Sequence, residues 1–576
     1  MLTPQEAHDA IRQDLSDRKV WEERQRIFYQ MRHNGIPRRT KPFPGAADLH
    51  YPLADSQIGK LAPFYFAQVY SSDLLASFAP QNPEAEDLSR QAAYWFDWKL
   101  NNKTNFFEEI LATIDTMLMA GVAPIKIVWD PARKAVRFDS IEPVYFVCPV
   151  TTMDLDTADR WCHILQLTPD QYRANGNFTQ DEELIKRLTA RPEDSRSDAK
   201  YQREGLTFGA TAQQLILWEI YQRTPNGIVV QTVAPNCPQE EIRAPYRLGE
   251  EYGTSGPFVL FATEHKDKGY YASRGIVERV APFETYLCRL WNEKADAMAF
   301  LNRPIFTSDN PLPGNLSEIR FRPGEYVPNG LRSVPMGSPP IDIDNEMQNV
   351  RGLAEYTVSM PDYGLQAKPG SAKDTRTATE ISAIGSLMGV SVDLKARIFR
   401  RACAKVYRIA WSLLRRFASD DLLAYAGGKA KQIDPQALQQ IYQIEPDGSP
   451  DGWNKEQRVQ RAYQRMQLFA QNPNVDAAEL TRDALAEDSP ALAQRIYRDP
   501  QVKQQEALTA QARALTELGL NMRHSGHANP EMANMIGQSV QARMQALQQL
   551  NPQAAQQLAQ ELATAAQQQP GAGPSQ

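Results

Sequence analysis

The stretch that decides the fold is SRGIVERVAPFETYLCRLWNEKADAMAFL, residues 273–301, together with the two segments that follow it. It predicts a helix from Ser273 to about Leu301. Residues 302–340, here called the excursion, are dense in proline and glycine and hold only short β-prone pieces. A second helix is predicted from Asp342 to Met360. The pattern is therefore a helix, a compact proline-rich excursion and a returning helix.

Downstream of this pattern the sequence is predominantly helical. A Gly/Lys-rich segment, residues 361–374, precedes a long helix predicted from Thr377 to Ala418, and beyond Pro450 almost all of the chain favours helix. The last 36 residues contain 12 Gln and 9 Ala, and Arg543 and Glu561 are their only charged residues. This tail suits a surface helix, or a helix packed against copies of itself, that frays at its end.

Upstream, helices and strands are mixed. Thr3-Pro4-Gln5-Glu6 predicts a capped helix that runs to about His33. Further helices are expected at about 55–78, 84–100 and 105–120. Two β-hairpins are expected, formed by 123–129 with 135–141 and by 215–221 with 228–233, and 144–150 is a candidate strand. Residues 190–214 are expected to form a surface loop. The fold class is therefore α+β and mainly helical.

Composition restricts the possible functions. Of the 576 residues, 42% are hydrophobic and 23% charged, as in folded proteins, and the net charge is −6. The protein as a whole is therefore not a basic polyanion-binding surface. Five scattered cysteines without a CxxC pair favour reduced thiols. We expect neither a signal peptide at Met1 nor a membrane span, because the most apolar stretch, 117–129, is too short.

The sequence offers few candidates for chemistry. The GxxxxGK[ST], GxGxxG and GxSxG motifs are absent. His524 and His527 lack further metal-ligand partners, and the group Asp154, Asp156 and Asp159 lacks the glycine and terminal glutamate of a calcium loop. The aromatic run at 94–98 favours a core or a subunit interface over base stacking. We expect no catalytic residue, no metal and no cofactor.

Several segments, in order, resemble the portal (head-to-tail connector) proteins of tailed bacteriophages. These are Pro42-Phe43-Pro44-Gly45-Ala46-Ala47-Asp48 with Tyr51-Pro52-Leu53, the hairpin containing Ile125-Lys126-Ile127-Val128-Trp129, the blocks at 144–149 and 154–161, and Arg376-Thr377-Ala378-Thr379-Glu380-Ile381. The last segment is the strongest match, since it resembles the start of the long helix after the family's tunnel loop. The resemblance extends over roughly residues 40–420, and the C-terminus matches only in being helical.

The resemblance implies an arrangement of parts and a set of partners. The parts are an α/β wing (1–272), a stem helix (273–301), a clip (302–340), a second stem helix (341–360), a tunnel loop (361–376), a long helical region (377–449) and a helical crown (450–576). It implies a non-enzymatic dodecameric ring at one capsid vertex of the virion, assembled in the host cytoplasm. The ring would conduct double-stranded DNA during packaging and ejection. The clip would bind the terminase large subunit and then the tail adaptor, and the wing would meet the major capsid protein and scaffold.

Two groups of cations are candidates for the DNA channel. Lys368, Lys373 and Arg376 lie in the segment that resembles the tunnel loop. Arg397, Arg401, Arg408 and Arg415, here called the arginine row, fall within about 40° of one another on a helix of 100° per residue. The row is either a solvated or carboxylate-paired face of an amphipathic helix, or a surface for DNA or an adjacent subunit. Few cations suit a channel in which DNA must slide, because each phosphate contact adds affinity.

Two alternatives remain open. The first is another head or tail structural protein, such as a head-closure or baseplate subunit, which would lack the pattern of helix, excursion and helix. The second is a nuclease or polymerase accessory enzyme, which would need a cluster of metal-binding carboxylates.

Overall fold

The computed structural model describes most of the first 447 residues and parts of the remainder. The described residues are 2–33, 39–70, 74–80, 85–189, 214–264, 269–302, 306–308, 331–333, 342–358, 378–426, 429–447, 455–469, 481, 484–485, 508–509, 511–512, 514, 530–550 and 556. The chain divides into two units, Met1–Trp453 and Asn454–Gln576. The excursion outside its two short strands, the segment 361–376, the loop at 190–213 and most of the Gln-rich tail lie outside the described residues.

The fold is mixed α and β, with 57% helix among the described residues, which confirms the α+β, mainly helical class. The helices of the first unit are α1 (Pro4–Asp17), α2 (Lys19–Arg32), α3 (Leu53–Tyr70), α4 (Glu86–Lys103), α5 (Phe106–Ala120), α6 (Pro169–Ala174), α7 (Glu182–Thr189), α8 (Ile276–Asn302), α9 (Ile343–Val358), α10 (Ala378–Phe417) and α11 (Pro435–Gln439). The described helices of the second unit are α12 (Lys455–Phe469) and α13 (Pro530–Leu550).

The strands form small antiparallel sheets. They are β1 (Ala76–Pro80), β2 (Val122–Asp130), β3 (Ala135–Ser140), β4 (Phe146–Val147), β5 (Arg160–Leu167), β6 (Leu215–Thr224), β7 (Gly227–Val233), β8 (Arg243–Arg247), β9 (Phe258–Ala262), β10 (Phe306–Ser308), β11 (Leu331–Ser333), β12 (Leu423–Ala426), β13 (Lys429–Gln432) and β14 (Tyr442–Pro446). The larger sheets have the orders β3-β2-β9 and β4-β5-β6-β7-β8, and the pairs are β1-β14, β10-β11 and β12-β13.

The main core lies between α3, α4, α5, α8, α10 and the sheet β3-β2-β9. Aromatic side chains fill it. Trp95 and Phe96, from the aromatic run on α4, are fully buried and contact Trp411 edge to face. These two residues of the run therefore belong to the core, as expected, while Tyr94 and Trp98 are partly exposed.

Two glycines let α5 and α8 touch where the chain crosses itself. Gly121 ends α5 with a φ of 87°, in the left-handed region that glycine adopts without strain. A Cβ on Gly121 would lie 2.5 Å from the carbonyl carbon of Arg274, and one on Gly275 would lie 1.8 Å from the carbonyl oxygen of Met119. The start of α8 can thus pass directly over the end of α5.

Several expected elements are confirmed. The Thr3 hydroxyl accepts a hydrogen bond from the Glu6 amide, and the Glu6 carboxylate accepts one from the Thr3 amide. The two predicted hairpins correspond to β2-β3 and β6-β7. The helices predicted at 273–301, 342–360 and 377–418 correspond to α8, α9 and α10.

Other expectations were wrong because distant partners decide the local structure. The first helix is broken at Arg18, whose buried guanidinium donates to the carbonyls of Pro143, Val144 and Phe146. Residues 76–78 are not the end of a helix, since they belong to β1, which pairs with β14 more than 360 residues later. Of the candidate strand 144–150, only Phe146–Val147 is a strand, and 143–145 form a short 3-10 helix.

The region after α10 also differs from a continuous helix. The helix ends at Phe417, and residues 423–446 form β12, β13, α11 and β14. Strands β5, β8 and β9 were not expected at all, although β5 is central to the five-stranded sheet.

Candidate functional site

Helices α8 and α9 pack as a pair, and two short strands of the segment between them also pair. The two helices pack against each other, and Lys294 of α8 forms an ion pair with Asp344 of α9 at 2.5 Å. Just beyond them β10 and β11 pair antiparallel, with Phe306 opposite Ser333 and Ser308 opposite Leu331. In the chain, the rest of the excursion, residues 309–330, comes between these two paired strands.

One side of α8 carries polar side chains that bind the backbone of residues 47–54, an extended segment that leads into the first turn of α3. We call these side chains the polar ladder. The side chains of this ladder lie four residues apart on the helix, and each accepts a hydrogen bond from a backbone amide of residues 47–54. The contacts are Ala47 N to Asp296 Oδ1 at 2.7 Å, Leu49 N to Asn292 Oδ1 at 2.7 Å, Tyr51 N to Cys288 Sγ at 3.2 Å and Ala54 N to Glu284 Oε2 at 2.7 Å.

The ladder follows from the dimensions of helix and extended chain. Four residues of helix advance about 6 Å, and two residues of extended chain advance about 6.7 Å. Alternate amides at 47, 49 and 51 therefore stay in step with helix positions 296, 292 and 288. Asn292 also donates to the Leu49 carbonyl at 2.9 Å, and Arg39 pairs with Asp296 at 3.0 Å. The ladder thus holds residues 47–54 against α8.

The ladder ends in a buried acid beside a histidine. Glu284 is fully buried, and its Oε1 lies 3.2 Å from His50 Nε2. Burial raises the pKa of Glu284 to about 7, against the lowering effect of the Ala54 amide, and burial lowers the pKa of His50. Both groups are therefore biased toward their neutral forms.

The arginine row lies on the exposed face of α10. All four side chains are exposed, whereas Phe399, Cys403, Val406, Ala410 and Leu413 on the opposite side are buried. Phe417, expected on the buried side, is 43% exposed and stacks on Trp129. The sequence predicted this amphipathic division because a helix repeats its faces every 3.6 residues.

Other cations of α10 contrast with the row because each has a protein partner. Lys395 donates to the Val358 carbonyl at 3.0 Å, and Arg400 donates to the Pro446 carbonyl at 2.7 Å. Lys405 pairs with Asp156 at 2.8 Å, and Arg416 pairs with Glu251. For the four arginines of the row, the described part of the chain provides no carboxylate or carbonyl partner. An open depression beside Arg415 is lined by Ser419, Pro435, Leu438 and Gln439.

The other sequence candidates carry no ligand site that the structure describes. Lys368, Lys373 and Arg376, and also His524 and His527, lie outside the described residues. Asp154 and Asp156 face Lys405, at 3.8 and 2.8 Å. Within the described residues no three His, Cys, Asp or Glu side chains are grouped to hold a metal, and all five cysteines are free thiols. Among those same residues, no helix is long and apolar enough to cross a membrane.

A buried polar cluster that sequence reasoning missed ties two sheets together. Lys126 on β2 lies 2.5 Å from Glu219 on β6, and both side chains are 10% exposed. Tyr221 donates to the same carboxylate at 2.8 Å, and His163 Nδ1 lies 3.9 Å from it. Burial raises the pKa of Glu219, but Lys126 and His163 lower it more, so that it lies well below the ordinary value. Burial lowers the pKa of His163. The cluster is closed by its own contacts, which indicates a structural role.

The polar ladder was also missed, although a signal for it exists. Glu284, Cys288, Asn292 and Asp296 recur at a spacing of four along one side of the helix. Such a row marks a helix face that meets polar groups. The sequence does not reveal that these groups are backbone amides of residues 47–54.

Comparisons with known proteins add no relative. No protein-family model matches the chain, and no curated protein matches it.

Proposed function

We propose that the chain is a subunit of a ring that conducts double-stranded DNA, of the kind formed by the portal proteins of tailed bacteriophages. The observation that carries this proposal is the packed helix pair α8 and α9, with the antiparallel strands β10 and β11 between them in the chain. A mixed α/β body precedes this unit, and the 40-residue helix α10 follows it. The order of parts and the ordered portal-like segments support the same function independently.

In this proposal each region has a mechanical role and no covalent chemistry. Residues 1–272 form the wing that meets capsid protein and scaffold, and α8 and α9 form the stem. The excursion is the clip that binds the terminase large subunit and later the tail adaptor. The segment 361–376 is the tunnel loop, and the helical unit from residue 450 is the crown. Twelve copies would form the ring at a capsid vertex of the virion, after assembly in the host cytoplasm.

The direct test of the proposal is the assembly state of the purified full chain. We expect negative-stain images with a central hole in end views, and a mass of about twelve chains, because head-to-tail contacts close when the rotation between neighbours fits. A chain that stays monomeric at every salt concentration, and also with scaffold protein, would contradict the function as a whole.

The arginine row is the surface that we propose to contact the DNA backbone. Arg397 and Arg415 are separated by about 27 Å along the helix, at 1.5 Å per residue. Between them no large apolar side chain of α10 is exposed. Protein interfaces usually have a core that is poor in charge and contains aromatic anchors. A row of guanidinium groups that lack both such a core and a partner among the described residues suits phosphates better.

Contacts between arginine side chains and phosphates allow the DNA to slide. A phosphate contact carries no sequence information, and every phosphate along the duplex offers the same partner. The energy therefore changes little as DNA advances past an exposed arginine, and salt screens each contact. A net charge of −6 for the chain keeps the rest of the surface from holding DNA tightly.

A variant with all four row arginines changed to glutamine tests this assignment. We expect a folded protein, since exposed substitutions change stability by about 0.5 kcal/mol or less. Its binding to a 30-base-pair duplex should depend less on salt, with the slope of log K against log salt reduced by up to about 3–4 per chain. The matched control is Lys405→Gln with Arg416→Gln, which removes two partnered cations from the same helix and should leave the slope nearly unchanged.

The outcomes distinguish a surface that contacts DNA from a surface that contacts the neighbouring subunit. If the quadruple variant binds DNA like the wild type but no longer forms rings, the row contacts an acidic surface of the neighbouring copy, and the DNA assignment is wrong.

The double change Lys368→Ala and Lys373→Ala tests the two lysines of the segment 361–376. We expect it to preserve assembly and to alter packaging or retention of DNA. If packaging and retention stay normal, those lysines are solvated bystanders.

A further inference from the structure

The outer side of α3 and α5 carries three aromatic rings that touch one another at the protein surface. The ring centroids of Phe66 and Tyr70 on α3 lie 4.7 Å apart, and the ring of Phe107 on α5 lies 5.3 and 5.4 Å from them. Phe107 is 47% exposed, and Leu111, one turn further along α5, is also exposed. We call these four residues the α3–α5 face. A contiguous apolar surface with aromatic anchors on rigid helices is typical of a site that another protein covers.

The charges next to the α3–α5 face are negative. Helix α5 contains Glu108, Glu109 and Asp115 and no lysine or arginine. The carboxylate of Glu109 accepts the Ser140 amide at 2.7 Å, whereas Glu108 is exposed and forms no ion pair with any residue that the structure describes. A partner that covers this face should therefore present apolar side chains together with positive charge.

Helix α2 presents this combination on its exposed side. Val20 is 84% exposed and Ile27 is 50% exposed. The two side chains lie on the same side of the helix, because seven residues are close to two turns. The exposed charged residues of this stretch are three cations and one acid, namely Lys19, Arg24, Arg26 and Glu23. We call the exposed residues between 19 and 27 the α2 face.

The α2 face and the α3–α5 face lie too far apart to meet within one chain. At one end of α2, Arg32 pairs with Asp115 in the middle of α5 at 2.6 Å. Towards its other end, Arg24 lies 3.6 Å from Glu278 at the start of α8, and the start of α8 passes over the far end of α5. Helix α2 therefore runs away from Phe107, and at 1.5 Å per residue its exposed apolar side chains begin roughly 20–30 Å from that ring.

We propose that the α3–α5 face of one copy binds the α2 face of the next copy, and that this head-to-tail contact joins the subunits of the ring. The inference rests on the proposed ring function, since it names the surfaces through which the copies meet. The apolar side chains of the two faces supply affinity, and the opposite charges around them favour the correct orientation. Because the two faces differ, each contact leaves one free face at either end, and repetition closes a ring when the rotation between neighbours fits.

Two variants of the full chain test the contact by complementation. Glu108→Lys with Leu111→Lys alters the α3–α5 face, and Val20→Asn with Ile27→Asn alters the α2 face without adding charge. All four positions are exposed, so both proteins should fold. Each variant alone should lose the ring and stay monomeric. An equal mixture should give dimers and no rings, because one intact face of each kind remains in the mixture, and native mass spectrometry distinguishes these species.

A photoreactive residue detects the contact even when it is weak. Benzoyl-phenylalanine replaces Ala112, which is exposed next to Leu111, in the variant whose α2 face is altered. After irradiation of the mixture, we expect a covalent dimer in which position 112 is joined to residues 19–27 of the other variant. The matched control is Leu423→Lys with Ile441→Lys, which changes two exposed apolar positions elsewhere and should form rings like the wild type.

The outcomes separate the interface from the ring. If the wild type and the Glu108→Lys, Leu111→Lys variant form rings equally well, the ring stands and the interface is wrong. A cross-link outside residues 19–27 of the other chain, or no cross-linked dimer at all, also overturns the interface. A wild type that forms no rings contradicts the proposed function, whereas a cross-link to residues 19–27 would still support the head-to-tail contact, in an open oligomer.

Discussion

Replacement of Lys126 with methionine should destabilise the protein by about 3–5 kcal/mol at neutral pH, because it leaves a buried carboxylate without its counter-ion. Methionine keeps most of the length and the apolar stem of lysine and removes the ammonium group that donates to Glu219. Glu219 would then retain the Tyr221 hydroxyl at 2.8 Å as its close polar partner, with neutral His163 at 3.9 Å. The loss would weaken the connection between β2 and β6, which belong to different sheets.

The contribution of Glu219 to stability should depend on pH in opposite directions in the wild type and in the variant. In the wild type the pKa of Glu219 is lowered. The group therefore contributes stability that is present above its unfolded pKa of about 4.3 and is lost as the pH falls through its folded pKa. In the variant burial dominates and raises the folded pKa above the unfolded one. The variant should accordingly become more stable, relative to the wild type, as the pH falls from 7.5 to 5.

Urea unfolding followed by tryptophan fluorescence is a suitable measurement. Trp161 and Trp218 lie on β5 and β6, close to the cluster. The double change Lys126→Met with Glu219→Gln should recover part of the loss, since it removes the buried charge. Lys294→Met is the matched control. It makes the same substitution at an ion pair with Asp344 that is 35% and 65% exposed, so its cost should stay below about 1 kcal/mol.

Two results would refute the reasoning. One is a loss below about 1 kcal/mol for Lys126→Met, which would mean that the carboxylate reaches water in the folded protein. The other is an equal loss at pH 5 and pH 7.5, which would mean that Glu219 does not carry the effect.

Two further predictions concern the crossing of α5 with α8 and the break between α1 and α2. Gly275→Ala should cost about 2–4 kcal/mol, because the new Cβ would lie 1.8 Å from the Met119 carbonyl oxygen and backbone cannot move away easily. Gly352→Ala, on an exposed helix position with nothing within 4 Å, should stabilise by up to about 1 kcal/mol in the same thermal unfolding assay, and an equal effect of both changes would contradict the crossing. Arg18→Met should cost roughly 3 kcal/mol, since the carbonyls of Pro143, Val144 and Phe146 lose a buried donor. Arg26→Met, at an exposed pair with Glu23, is its control and should change the urea midpoint little; a comparable loss there would show that burial of Arg18 is not the cause.

The sequence by itself determined what depends on neighbours along the chain. The capping box at Thr3, the hairpins β2-β3 and β6-β7, and the bounds of α8, α9 and α10 all follow from contacts within a few residues or one helical turn. The division of α10 into a buried face and the arginine row follows from the helical repeat alone. These features could be predicted because their energies are local.

Only the tertiary structure decided what depends on residues far apart in the sequence. Strand β1 exists because β14 pairs with it, and the first helix breaks because Arg18 reaches carbonyls 125 residues or more away. The pairs Lys126 with Glu219 and His50 with Glu284 join residues 93 and more than 230 positions apart. No local pattern identifies such partners, because a charge or a hydrogen-bonding group shows which kind of partner it needs but not where in the chain that partner lies. The fold supplies the position, and burial then determines how strongly each pair interacts.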